Sequence, residues 1–413
     1  MTSPADPASA SVWAELVGQD QAVETLARAA GASDVIRVPG AGPGHAMSHA
    51  WLITGPPGSG RSNAAKAFAA ALQCENRQTV VGPGCGQCNA CRTSLTGAHP
   101  DVTLVRTEQL SIGVDEVREL VRRASMRPTM GRRQILVVED ADRVTERGAD
   151  ALLKSIEEPA AKTVWVLCAP TADDVVVTIR SRCRLLNLTT PSVPAVTALL
   201  EARDGFDPAI AAYAARAGQG HIGRARMLAR DEGARNRRHE VLQIPGQLRS
   251  LGACLTAAEN LVDACTEEAA AVTKNLDARE LADLSEALGM GTQGSGPGRS
   301  AARPRQAQAA LKELEDQHRA RAKRLQRDAL DRALTELTAY YRDVLSLQLA
   351  AEADLVNPEL QTELAATARR VTPEITLRRI DAILACRVAL ETNVAPLLAV
   401  ESMLIGLVEA VAS

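Results

Sequence analysis

Through the first 190 residues or so, short unbroken apolar runs alternate with amphipathic stretches, and beyond that the apolar runs stop. Ala50-Trp-Leu-Ile-Thr54, Asp101-Val-Thr-Leu-Val105, Gln134-Ile-Leu-Val-Val138 and Thr163-Val-Trp-Val-Leu-Cys-Ala169 have the length and apolar content of strands buried in a sheet. Between them the spacing becomes helical. After a turn at Val17-Gly18-Gln19, Val23, Leu26 and Ala30 share one face. Ser62 to Leu72 is alanine-rich, and Gly148 to Glu158 reads as another helix. The stretch Ser111 to Val121 carries Ile112, Val117, Leu120 and Val121 at helical spacing, with Ser111 as its expected cap. Thr178 to Leu186 follows the last apolar run, and Arg180, Arg182 and Arg184 alternate there as they would along a solvated strand face. Strands alternating with helices predict an α/β domain, a parallel sheet with helices on both faces.

Beyond about Leu188 only helical spacing persists. Pro191 to Arg230 reads as a small helical bundle, and most of the remainder is helical too. The expected boundaries are 1–188 for the α/β domain, 189–238 for the bundle and 239–413 for a second all-α domain. Two breaks interrupt the pattern. Pro39 to Gly44 forms a loop before the first strand, and Gly289 to Pro304 holds five glycines and two prolines, the composition of a mobile insertion.

A chain of 413 residues is long enough for two or three domains. With 47 basic and 50 acidic residues, its net charge of -3 is not the footprint of a strong autonomous nucleic-acid binder. A local basic run, Arg319, Arg321, Lys323, Arg324 and Arg327, is read as a solvated helix face in preference to a DNA contact. No apolar run reaches the length of a membrane span, and Met-Thr-Ser-Pro-Ala-Asp lacks a signal peptide's charged and apolar regions, so the expected location is the cytoplasm.

Two motifs carry chemistry. Gly55-Pro-Pro-Gly-Ser-Gly-Arg-Ser62 lies between an expected strand and an expected helix and has the spacing of a phosphate-binding loop. Small residues let backbone N–H groups curl round a phosphate, and the helix adds the positive end of its dipole. Arg61, however, stands where a compact lysine would reach the β and γ phosphates, and its planar guanidinium keeps the charge but not the fit. Glu139-Asp140 ends the third apolar run, where such a domain would hold magnesium and polarise water. The second motif is Cys74, Cys85, Cys88 and Cys91, spaced C-x10-C-x2-C-x2-C within a total of nine cysteines. Four thiolates suit a structural zinc ion. The alternatives are an iron–sulfur cluster, for which the usual fourth cysteine three residues on is absent, and free buried thiols.

These motifs, with Leu152-Leu-Lys-Ser-Ile-Glu-Glu-Pro159 and Ser181-Arg182-Cys183, resemble the AAA+ clamp-loader family, and within it the delta prime type of bacterial DNA polymerase III subunit. The resemblance covers roughly residues 12 to 230 by motif and the rest by position and character. It implies an AAA+ P-loop domain (1–188) with a zinc module at about 74–91, a helical lid and a helical collar through which five subunits form an open ring. It further implies as partners the ATPase (gamma/tau) and delta subunits, the sliding clamp, and primed DNA through the complex, within the DNA-directed DNA polymerase holoenzyme. Motor subunits of the family carry a lysine in the phosphate loop and an Asp-Glu pair, here Arg61 and a reversed Glu139-Asp140. Displacing a catalytic group by ~1 Å costs ~100-fold in rate, so efficient ATP hydrolysis by this chain is not expected. ATP or ADP binding by Gly55, Gly58, Gly60, Arg61, Ser62, Glu139 and Asp140 stays open. Where motor subunits place a nucleotide-sensing arginine, the stretch Gly220 to Ala225 puts Gly223, with Arg224 next door. The resemblance also makes Arg182 an arginine finger reaching a neighbour's ATP. Two rival readings are an active motor subunit and a purely structural zinc-bearing adaptor.

Overall fold

In a computed structural model of the chain, residues 11–33, 47–77, 83–107, 111–288, 304–392 and 394–409 are described. The loop expected at 39–44 lies outside them, as does the expected insertion up to residue 303. The chain divides into two compact units, Met1–Arg230 and Asp231–Ser413.

The first unit runs α1 (Asp20–Ala32), β1 (Ala50–Thr54), α2 (Arg61–Gln73), α3 (Asn89–Thr96), β2 (Val102–Val105), α4 (Val114–Ala124), β3 (Gln134–Val138), α5 (Glu146–Glu157), β4 (Thr163–Ala169), α6 (Val177–Arg180), β5 (Arg184–Asn187), α7 (Val193–Ala202), α8 (Pro208–Gly218) and α9 (Ile222–Arg230). The five strands form one sheet in the order β2-β3-β4-β1-β5. Every pairing is parallel, with Leu52 opposite Leu167 on one side and Leu185 on the other.

Strand side chains alternate between two cores because the pleat sends neighbours to opposite faces. Trp51, Ile53, Val164 and Val166 pack with Leu26 of α1 and Phe68 and Leu72 of α2. Leu52, Leu136, Trp165 and Leu167 pack with Val117 and Leu120 of α4 and Leu152 and Ile156 of α5. Phe68 meets the Trp51 ring edge-on at 5.1 Å. Burying a side chain of this size contributes ~1.5–3 kcal/mol, so strands β1, β3 and β4, buried along their whole length, anchor the unit.

Two local expectations are corrected. Ser111 does not cap α4: the helix begins at Val114 with Gly113 at its N-cap, and the fully buried Ile112 forms an isolated parallel bridge with Val144 instead. Burying Ile112 there outweighs one capping hydrogen bond. The arginines 180, 182 and 184 do not share a strand face. Arg180 ends α6, Arg182 lies in the following turn, and only Arg184 is in a strand. Ile179, buried at 2% exposure in the α4/α5 core, sets the short helix that breaks the alternation.

The second unit is all helical: α10 (Glu232–Gln247), α11 (Leu251–Ala287), α12 (Pro304–Gln348), α13 (Gln361–Arg370), α14 (Pro373–Glu391) and α15 (Pro396–Glu409). Leu330, Leu334, Leu337, Tyr341 and Val344 run down one side of α12 into a core with Leu261, Ile383 and Leu404. At its edge Arg238, 3% exposed at its side chain, pairs with Glu336 at 3.0 Å and Glu359 at 3.1 Å. The basic run on α12 meets acidic partners: Arg321 pairs with Asp277 and Glu280 of α11, and Arg319 with Asp316. Among the described residues no helix is long and apolar enough to cross a membrane.

Candidate functional site

In a doubly wound sheet, ligands meet the carboxyl ends of the strands. Here those ends carry the glycine loop after β1 and the acidic pair after β3. The loop depends on its glycines. Gly58 has φ +85°, and a Cβ there would come within 2.4 Å of the His221 side chain. A Cβ on Gly55 would lie 2.7 Å from Ser59 Oγ and 2.8 Å from the Leu188 carbonyl. Gly60, also left-handed, is the N-cap of α2.

The charges around the loop are already committed. Arg61 folds back, and its Nη1 donates to the Gly55 carbonyl at 2.6 Å. Lys66, in the next turn of α2, places Nζ 3.0 Å from Glu139 Oε1, and the Glu139 side chain is 8% exposed. Two buried polar atoms nearby, Asp140 Oδ2 and Ser59 Oγ, have no hydrogen-bond partner among the described residues. Asp142 is raised above the usual carboxylate range by burial and by the charge of Asp140, against the pull of Arg143 and Arg61. A magnesium nucleotide needs oxygen ligands with free charge at the end of β3. With an ammonium on Glu139 and the Arg61 guanidinium turned to its own backbone, the unpartnered Asp140 carboxylate oxygen and Ser59 hydroxyl are what remain to meet such a group.

Gln19 joins the loop to the segment that follows β5. Its buried Nε2 donates to the Thr189 carbonyl at 2.6 Å and the Ser59 carbonyl at 3.3 Å, while Oε1 accepts from Thr189 N at 3.1 Å. Gly223 sits at the start of α9, and His221 Nδ1 accepts from Arg224 N at 3.2 Å.

The three arginines have separate fates. Arg184 lies 4.8 Å over the Trp51 ring, and Arg180 pairs with Asp173. Arg182 is at the surface, 39% exposed at its side chain. Its Nε donates to Glu157 Oε1 at 2.5 Å, and its Nη1 donates to the Thr178 carbonyl at 2.8 Å and Ser181 Oγ at 3.1 Å.

The four cysteines of the cluster converge. Cys74 caps the C-terminus of α2, Cys88 is the N-cap of α3 and Cys91 lies in its first turn. Their sulfurs all lie within 4.8 Å of one another. Zn–S bonds of ~2.3 Å put tetrahedral sulfurs ~3.8 Å apart, so small movements would close the shell. Backbone N–H groups of Cys85, Cys88 and Cys91 point at Cys74, Cys85 and Cys88 Sγ at 3.5, 3.4 and 3.4 Å. Burial pushes the Cys85 thiol up, but backbone donors at Cys88 and Gln87 prevail and bring it down to about 7. Burial moves Cys91 upward. Soft sulfur donors with N–H groups aimed at them suit zinc.

Comparison with known proteins completes this description. The family model described as DNA polymerase III, delta subunit, matches residues 43–192, and that described as DNA polymerase III, delta subunit, C terminal, matches residues 310–409. The chain is 38% identical over 138 residues to DNA polymerase III subunit delta' of Pseudomonas aeruginosa, covering 33% of this chain and 42% of that protein. The chain belongs to the DNA polymerase III clamp-loader subunit family. The Escherichia coli delta' subunit is 36% identical over 153 residues, covering 37% of this chain and 44% of that one. A DNA polymerase III subunit gamma/tau of Mycobacterium tuberculosis is 32% identical over 171 residues, 41% of this chain and 27% of that protein. The chain therefore spans less than half the length of these clamp-loader relatives. Among solved structures, a gamma subunit-related protein of Thermotoga maritima is 14% identical over 94% of this chain and 99% of its own, with a TM-score of 0.39.

Sequence reasoning located the loop, the acidic pair, Arg182 and the cysteines, but missed Lys66, Glu157, His221 and Gln19 as members of these sites. One signal was available: Lys66 is the single charge inside the alanine-rich stretch Ser62 to Leu72.

Proposed function

We propose that this chain is a non-motor, delta prime type subunit of a DNA polymerase III clamp loader. It joins gamma/tau-type ATPase subunits and a delta subunit in a ring that places a sliding clamp on primed DNA, and it lends Arg182 to a neighbour's ATP. The helices after β5 as far as Arg230 serve as lid and the second unit, Asp231–Ser413, as collar, which moves the boundary expected at 238/239 to the start of α10. Cys74, Cys85, Cys88 and Cys91 hold a structural zinc ion that fixes the ends of α2 and α3.

One observation carries the non-motor reading: Lys66 neutralises Glu139, the carboxylate at the end of β3 that a working site would use for magnesium. Arg61, turned to Gly55, supports it. The exposed guanidinium of Arg182 supports the finger, since a cation supplied in trans is worth ~10³ to 10⁵ in rate. The gamma/tau relatives raise the rival reading of an active motor. Incubating the purified chain with ATP, sliding clamp and primed DNA separates the two: the non-motor subunit gives no sustained turnover, and a motor does.

A further inference from the structure

The Leu152-to-Pro159 and Ser181-Arg182-Cys183 stretches, far apart in sequence, meet at one ion pair. We propose that Glu157 is the positioning residue for Arg182, holding its guanidinium at the surface in the orientation from which it meets a neighbouring subunit's triphosphate. This rests on the reading of Arg182 as a finger in trans.

Both ends of the pair are anchored in the same core. Glu157 is the last residue of α5, directly after the fully buried Ile156. The Ile156 carbonyl is held by His49 Nε2 at 2.8 Å, and Pro159 stops the chain from extending the helix. Arg182 follows Ile179, buried in that core too, and Cys183 packs against it. Two rigid stems therefore carry the pair, and only the tips are mobile.

At the tips every guanidinium nitrogen is engaged. Glu157 Oε1 takes Nε and lies 2.5 Å from Nη2, while the Thr178 carbonyl and Ser181 Oγ take Nη1. A free arginine side chain would surrender much rotamer freedom on reaching a phosphate. Here that ordering is done before the neighbour docks. Nη2, which meets only Glu157, still has a second N–H for a phosphoryl oxygen. Glu157 is exposed, so a Gln variant keeps shape and fold and loses only the charge.

The test is a clamp-loader ring reconstituted with a gamma/tau-type ATPase and carrying this chain as wild type, Glu157→Gln, Arg182→Ala or both. Finger contacts tighten as charge develops on the transferred phosphoryl group. Glu157→Gln should therefore lower kcat for ATP roughly fivefold, the ceiling for an exposed ion pair, with KM and sedimentation of the ring unchanged. In the Arg182→Ala background it should change nothing further. If Arg182→Ala lowers the rate while Glu157→Gln matches wild type, or lowers the rate equally in both backgrounds, positioning by Glu157 is refuted and the finger stands. If Arg182→Ala itself leaves the rate unchanged, the finger reading fails and this inference with it.

Discussion

The Lys66 ammonium stands 3.0 Å from Glu139 Oε1, on a carboxylate whose side chain is only 8% exposed. A cation supplied by α2 thus occupies the carboxylate at the end of β3. All three tryptophans, Trp13, Trp51 and Trp165, lie in the first unit, so their fluorescence reports that unit's stability. Lys66→Met strands a largely buried charge and should cost about 1.5–3 kcal/mol, read from the urea transition by tryptophan fluorescence. Adding Glu139→Gln should recover most of the loss. A Lys66→Met chain as stable as wild type would show the pair to be incidental.

Gly58 is required twice, for its left-handed backbone and for its closeness to His221. Gly58→Ala should destabilise the first unit by about 1–2 kcal/mol from the backbone alone, and by more through the clash. In a His221→Gly background the contacts with Cβ and Cγ go, while the backbone cost and the 2.5 Å approach to the Cα of residue 221 persist, so the loss should shrink without vanishing. Equal losses in both backgrounds would mean that the His221 side chain does not press on the loop.

Asp101 gives the first unit an acid-sensitive clasp. Burial pushes its carboxyl up, but it accepts hydrogen bonds from Thr129 N at 2.6 Å, Met130 N at 2.8 Å and Gly131 N, and these prevail, lowering its pKa. A carboxyl depressed below its unfolded value of ~3.9 contributes stability above that pH and loses it as pH falls through the native value. Asp101→Asn should therefore be less stable than wild type at pH 7, the gap narrowing below pH ~4. A gap independent of pH would rule out the charged form as its source.

The cysteine cluster should hold about one zinc ion per chain in protein purified without chelator, as read by elemental analysis. Cys88→Ser should lower that content while leaving α3 capped, since a serine hydroxyl accepts the N-cap hydrogen bond in place of the thiol. Wild-type protein with little zinc would contradict the site.

Much of this was legible from periodicity. The runs at 50–54, 134–138 and 163–169 became central strands because only continuous apolar stretches can be buried on both faces, and the run at 102–105 became the half-buried edge strand β2. Boundaries failed where a tertiary contact outvoted local chemistry, as when Ile112 left the helix for its bridge with Val144. The loop, the carboxylates and the cysteines were visible because each is contiguous or closely spaced. Lys66–Glu139 and Glu157–Arg182 were not, since both pairs form between residues brought together only by the crossovers of the sheet. Spacing along the chain carries no signal for such contacts.

The central claim is a division of labour in which this chain supplies Arg182 and cleaves no ATP itself. Single-turnover ATP hydrolysis at the neighbouring ATPase site, in a reconstituted ring carrying Arg182→Ala, tests it most directly. The account predicts a fall of ~10³-fold or more with ring assembly intact; hydrolysis at the wild-type rate would contradict it.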